Sequence, residues 1–254
     1  MQELTDRHAI VTGGATGIGR AIAERLHAEG ARVTVMARDE TRLQAMCQAF
    51  PGMQYQVLDV TDEASVQQAF KAAELASGAV SVLVNNAGSA RTAPFARTSA
   101  AQWQQMLDVN LTGVFHCIQA ALPSLTQGNY GRLINIASTS GLKGYAYTAA
   151  YTAAKHGVIG LTRVLALELA NTHTTVNAIC PGFTNTDIVS EAISNIVSKT
   201  GRTEADALAE LVKHNPQKRL IEPEEVAAQV AWLCSDAACS VNGQALVLAG
   251  GEIM

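Results

Sequence analysis

The stretch "HAIVTGGATGIG", residues 8–19, decides how this chain is read. A short apolar run meets glycines, and a helical pattern follows at once. Ile18, Ile22 and Leu26 recur at i, i+4 and i+8, and Gly30 offers a stop. Strand, glycine turn and helix form the layout in which backbone approaches an anion closely. Gly13, Gly17 and Gly19 have no Cβ to hold a pyrophosphate away, while helix amides and dipole attract it. Thr16 and Ile18 sit in the same turn and are counted with the glycines as cofactor contacts. The spacing is G-x3-G-x-G, not G-x-G-x-x-G, so an ordinary tight turn is the competing reading.

The pattern repeats outward. "ARVTVMA" (31–37), "YQVLDV" (55–60), "VSVLVNNAG" (80–88), "GRLINIAS" (131–138), "TTVNAICPG" (174–182) and "ALVLAGG" (245–251) read as further strands. Asp39 is placed to cap a helix whose inner face is Leu43, Met46, Cys47 and Phe50. Strands apolar on both faces, with helices between them, predict an α/β fold of the Rossmann type. The expectation is one doubly wound parallel sheet with helices on both faces, in a single domain over 1–254. Residues 184–222 are polar and irregular, follow a strand's carboxyl end, and are expected to form a substrate lid.

Composition narrows the partners. Of 254 residues 48% are apolar, enough for a sizeable core, and 18 basic against 22 acidic residues give −4 without a basic run. Nucleic acid and an electrostatic membrane anchor are therefore not expected. No apolar run approaches a bilayer span and the start lacks a signal-peptide pattern, so a cytoplasmic protein is expected. Five scattered cysteines read as reduced thiols, and six histidines without ligand spacing predict no catalytic metal.

The end of the second strand bears on the cofactor. An acid there suits the 2′-hydroxyl of NAD, and an arginine suits a 2′-phosphate. Ala37 holds the strand-end position, and Arg38 offers phosphate a bidentate fork. NADP(H) is favoured and NAD(H) possible, with a solvated charge as the other reading of Arg38.

Taken in order, "TGGATGIG", "LDV" (58–60), "NNAG" (85–88), Asn110 in "VNLTGVF", Ser138 in "INIAS", "YTAAK" (151–155) and "PGFTNT" (181–186) resemble the short-chain dehydrogenases/reductases. The resemblance covers essentially the whole chain. It departs at Ala249, where the family often has Asp before the last Gly-Gly. The resemblance implies that Asp59 accepts from the adenine amino group and that Val60 offers a backbone contact. It places Asn86, Ala87 and Gly88 against the ribose and nicotinamide. Pro181, Gly182, Thr184 and Thr186 belong to the loop at the carboxamide and phosphates. Separately, these residues also suit turns and caps.

Carbonyl reduction needs an acid for the developing alkoxide. Tyr151 and Lys155, at i, i+4, share a helix face about 6 Å apart, and a nearby cation favours phenolate. The resemblance makes Tyr151 the proton donor and acceptor. Lys155 then lowers its pKa and bonds the nicotinamide ribose. Ser138 binds the substrate oxygen, and Asn110 holds a water linking Lys155 to solvent. Two tyrosines compete in "YTAAYTAAK". On a continuous helix Tyr147 lies roughly 12 Å along the axis from Lys155, which selects Tyr151. His156 points elsewhere and reads as structural.

The reading is an oxidoreductase moving hydride between NADP(H) and a carbonyl/secondary alcohol pair. Alternatives are an NAD-dependent hydroxyacyl or other alcohol dehydrogenase of this kind, and a nucleotide-sensing scaffold without turnover. Leu142, Tyr145, Phe183, Ile188, Val189 and Ile193 suggest a hydrophobic ketone or 3-oxoacyl thioester, with Tyr145 and Phe183 counted as substrate contacts. Arg91, Arg97, Lys199 and Arg202 read either as solvated charges or as partners for a CoA- or carrier-linked substrate. Family members commonly form tetramers, and a homotetramer is expected.

Overall fold

The computed structural model describes residues 4–254. Seven parallel strands lie in the order β3-β2-β1-β4-β5-β6-β7. They are β1 (His8–Thr12), β2 (Arg32–Ala37), β3 (Gln54–Val57), β4 (Val82–Asn85), β5 (Gly131–Ile136), β6 (Thr174–Pro181) and β7 (Ala245–Leu248). All seven expected strands are present, most of them shorter than expected, and β3 begins one residue earlier, at Gln54. The order reverses direction beside β1, between β1 and β4, so the two following loops diverge and leave a crevice at the carboxyl edge.

Alternation along each strand builds two cores. On β1, Ala9 and Val11 face one side with α1 (Gly17–Ala28), α2 (Glu40–Ala49) and α9 (Pro223–Cys234). Ile10 faces the other with α3 (Glu63–Ser77), α5 (Gly113–Gln127) and α6 (Ala149–Glu168). Ile22 and Leu26 of α1 are fully buried, as their spacing predicts, and so is Leu133 at the centre of β5. Each such side chain contributes about 1.5–3 kcal/mol of transfer free energy, which is what clamps helices to both faces. Asp39 caps α2 through a bond from Arg42 N to its carboxylate (3.1 Å), as expected.

One irregularity lies near the site. After α4 (Ala100–Leu107) the chain winds through a π-turn, Asp108–Thr112, before α5. A π-turn inserts an extra residue and redirects side chains, and here it turns Asn110 fully inward. Beyond β6 the chain leaves the sheet through α7 (Asp187–Thr200) and α8 (Glu204–Val212). It returns where Thr184 and Ile221 pair as an isolated parallel bridge, so both ends of this excursion are tied together at its base.

Candidate active site

At the carboxyl edge the glycine turn is held by the strand-end turn after β4. The amide of Asn86 donates to Thr12 O (3.0 Å) and Gly13 O (3.2 Å), while Thr12 Oγ1 accepts from Asn86 N and Ala87 N, each at 3.0 Å. Gly13 has φ +64° and Gly17 φ +50°, conformations natural to glycine. A Cβ on Gly19 would collide with Gly13 O and the Asn86 amide. Asn86 thus serves first as the brace of the turn. Thr12 performs an equal share, and only its place directly before Gly13 hinted at it.

The residues fit a dinucleotide. Thr16 begins α1 without a side-chain cap, and no acid lies in the first turn, so the amides there are uncapped by protein carboxylate. Thr186, the first residue before α7, brings its methyl 3.1 Å from where a Gly17 Cβ would be, and so borders the same turn. Its hydroxyl donates to Thr184 O (3.2 Å), Thr184 donates to Gly182 O (3.1 Å), and Gly182 N donates to Leu248 O (2.9 Å). Pro181 is the buried end of β6. Ala249 is buried beside Gly182, 3.3 Å from where its Cβ would stand, so a small side chain suits this spot.

Farther along the edge Arg38 is exposed at the end of β2. Asp59 accepts from Thr61 N (3.0 Å) and Thr61 Oγ1 (2.7 Å), and the backbone bond above all holds its carboxyl below the usual range. Val60 is buried, and its carbonyl accepts a hydrogen bond from His116 (3.1 Å if the Nδ1 tautomer carries the proton).

Ser138, Tyr151 and Lys155 come together on the other side of the crevice. Ser138 follows β5, and its Oγ accepts from Ser140 N (3.0 Å). Tyr151 is half-buried in the first turns of α6, and Ser138 hydrogen-bonds its phenol. Lys155 is 4% exposed; its Nζ donates to Ile136 O (2.8 Å) and lies 5.7 Å from the Tyr151 ring centre. The expected lowering of Tyr151 by Lys155 does not prevail. Burial dominates and raises the phenol, with the Ser138 bond opposing it in part. Burial likewise brings Lys155 down to about 8.

Three expected contacts take a different form. Asn110 spends both amide donors on Ser89 O and Met106 O (3.0 Å each) and accepts from Ser89 N (3.2 Å). Its side chain therefore pins the turn carrying Gly88, and a water link to Lys155 is left at most its spare lone pair. Tyr147 is not on the helix at all: its φ is +70°, it precedes α6, and it is 64% exposed. It fails as an acid by position rather than by distance along a helix axis. Tyr145 turns its hydroxyl to Glu252 (2.6 Å), a residue that sequence reasoning missed. Among the apolar candidates Phe183 and Ile188 are exposed, whereas Val189 is buried and Leu142 packs on the core. Arg91, Arg97, Lys199 and Arg202 are exposed, and His156 bonds back to Thr152 O (2.9 Å).

A family profile described as enoyl-(acyl carrier protein) reductase matches residues 13–252. The chain belongs to the short-chain dehydrogenase/reductase family. Short-chain dehydrogenases/reductases bind a nicotinamide cofactor, and this member is an oxidoreductase acting on hydroxyl or keto groups. It is 36% identical to D-β-hydroxybutyrate dehydrogenase of Cupriavidus necator, over 98% of this chain and 99% of that one. It is 37% identical to 3-oxoacyl-(acyl-carrier-protein) reductase of Escherichia coli, over 97% of each. A crystal structure of an actinorhodin polyketide ketoreductase variant with NADPH superposes with TM-score 0.91 at 36% identity, covering 99% of this chain and 98% of that one. Among the described residues no helix is long and apolar enough to cross a membrane.

The Lys155 environment has a consequence for stability. Its folded pKa of about 8 lies below the ordinary lysine value near ~10.4. Between the two the unfolded chain binds more protons, so this group makes folding more favourable as pH rises through that window. Unfolding by urea at pH 8 and pH 10 should show wild type gaining stability relative to Lys155→Met. An unchanged difference would mean Lys155 titrates normally.

Proposed function

We propose that the chain reduces a carbonyl, or oxidises the corresponding secondary alcohol, with Tyr151 as proton donor and acceptor. The observation that carries this reading is the Ser138–Tyr151–Lys155 cluster at the carboxyl edge, beside the braced glycine turn. A nicotinamide cofactor held at the glycine turn would supply or take the hydride. Ser138 holds the substrate oxygen. Tyr151, kept protonated by burial, gives its proton to that oxygen as negative charge develops. Lys155, cationic at neutral pH and anchored to Ile136 O, stabilises the phenolate left behind and bonds the ribose. Asn110 acts by fixing Gly88 and Ser89 beside it. Tyr151→Phe should lower kcat by about 10²–10⁴-fold while cofactor still binds. Activity close to wild type on a panel of ketones and acyl thioesters would reject the assignment.

NADP(H) is our choice of cofactor. Asp39 is spent on capping α2, which leaves Arg38 as the group presented at the ribose end, and NADPH accompanies the actinorhodin ketoreductase relative. NAD(H) is the alternative, met if the arginine is only a solvated charge. Arg38→Asp should raise the Kd for NADPH at least tenfold more than that for NADH. Equal effects on both would remove Arg38 as the discriminator.

For substrate we favour a hydrophobic ketone or a 3-oxoacyl thioester, free, CoA-linked or carrier-linked. Exposed Phe183 and Ile188 near the Pro181–Thr186 loop support it, as do relatives named for ketoacyl reduction. Phe183 and Tyr145 border the substrate in this reading. Residues 184–222 form the lid of a single domain, since the Thr184–Ile221 bridge closes their base. The unpaired cysteines agree with a cytoplasmic location. Exposed Phe115 on α5 and Val164 and Leu167 on α6 support assembly through these helices into a homotetramer. Sedimentation equilibrium should return about four chain masses, and a monomer mass would reject it.

A further inference from the structure

The chain's last turn reaches back into the substrate side of the site. Gly250 (φ +58°) and Gly251 (φ +90°) bend it in conformations that L side chains rarely adopt. Both bends rest on the far end of the 184–222 excursion. A Cβ on Gly250 would strike Asn215, and one on Gly251 would lie 3.3 Å from Pro216. Glu252 N then bonds Ala249 O (3.0 Å), and the Glu252 side chain, 4% exposed, points into the protein.

Its carboxylate meets two segments. Oε1 accepts from Tyr145 OH (2.6 Å) and Lys143 Nζ (3.3 Å), both on the loop between Ser138 and Tyr151. Oε2 stands 3.7 Å from where a Gly182 Cβ would be, over the loop after β6. The same phenol oxygen of Tyr145 lies 2.9 Å from Thr139 Oγ1. Burial, and next the bond to Glu252, hold Tyr145 far above the ordinary phenol range, so its one proton goes to the carboxylate. The Thr139 hydroxyl is therefore the donor in the second bond. Thr139 is buried and directly follows Ser138, whose Oγ is in turn bonded by Ser140 N.

We propose that Glu252 is a positioning residue for the reduction: through Tyr145 and Thr139 its carboxylate fixes the turn that presents Ser138 to the substrate oxygen. This rests on the reading of Ser138 and Tyr151 as the groups that hold and protonate that oxygen. A buried carboxylate is costly unless its bonds are made, so a chain that keeps one beside its site holds the bonded loop in one arrangement. Geometry held to a fraction of an ångström is what such a serine requires, because small misplacements of a bonding group cost large factors in rate. Lys143 offsets the charge from the solvent side, and its ammonium lies 4.9 Å from the Tyr145 ring centre.

The test uses Glu252→Ala, Glu252→Gln, Tyr145→Phe and the double variant Glu252→Ala/Tyr145→Phe, with Tm, cofactor Kd, kcat and KM measured for each. Glu252→Ala should lower kcat about tenfold while cofactor Kd changes by less than about twofold. Glu252→Gln, which retains an oxygen for Tyr145, should recover most of that loss. Adding Tyr145→Phe to Glu252→Ala should cost nothing more, as expected for two residues in one chain of bonds. Where Glu252→Ala is too unstable to assay, Tyr145→Phe carries the test alone with the same fall in kcat. Wild-type kcat in Glu252→Ala or Tyr145→Phe overturns the proposal, as do single-variant losses that multiply in the double variant. So does a kcat loss matched by an equal loss in cofactor binding, which would mark a merely structural tether. Tyr151→Phe, run alongside, keeps the two levels apart. If it stays active the assignment of the reacting groups fails, whereas an inactive Tyr151→Phe with neutral Glu252 variants removes only the role of Glu252.

Discussion

Everything at the carboxyl edge depends on how closely two turns approach across the reversal of strand order. Asn86 reaches from the β4 turn to carbonyls of the β1 turn, and Thr12 returns two bonds to the backbone beyond β4. That contact is open only to glycines at 13 and 19, since an added methyl at either would meet the Asn86 amide. The closeness draws the uncapped start of α1 beside the crevice. The same brace fixes Ala87 and leads through Gly88 to Ser89, whose backbone Asn110 bonds in both directions. The backbone lining the crevice is thus shaped by side chains that spend their polarity on protein.

Such spending explains what was legible in the sequence and what was not. Ile18, Ile22 and Leu26, or Ala9 and Val11 against Ile10, carry their burial in their spacing, so strands, helices and layers could be read directly. Tyr151 and Lys155 were legible for the same reason, being one turn apart on one helix. Tyr147 precedes α6 with a left-handed backbone, and its carbonyl accepts from Ala93 N (2.9 Å), so the first "YTAA" does not extend the helix and Tyr151 alone stands one turn from Lys155. The π-turn at Asp108–Thr112 has no periodic signature, and hence the true partners of Asn110 were hidden. Glu252 lies more than a hundred residues from Tyr145, beyond any local pattern.

Electrostatics in the site follow from burial before they follow from charge pairs. Tyr151 is raised and Lys155 lowered, each mainly by loss of water. The two shifts move the ionisations of phenol and ammonium apart from their ordinary order and leave phenol plus ammonium as the resting pair near neutral pH. The folded chain itself thus keeps the Tyr151 proton in place, as the proposed reductive direction requires. The oxidative direction has to overcome the same burial to form phenolate.

The bridge between Thr184 and Ile221 has a consequence of a different kind. Because both ends of the excursion are fastened at one rung, the entropy of closing it is charged at its base, and lengthening the interior costs only about 0.6 kcal/mol per doubling. Near those ends the excursion also touches the site, Thr186 bordering the glycine turn and Asn215 and Pro216 lying against the bends at Gly250 and Gly251. Drift in length is therefore cheapest in the stretch between these contacts, where it can reshape the mouth of the crevice while the fastened ends keep their places.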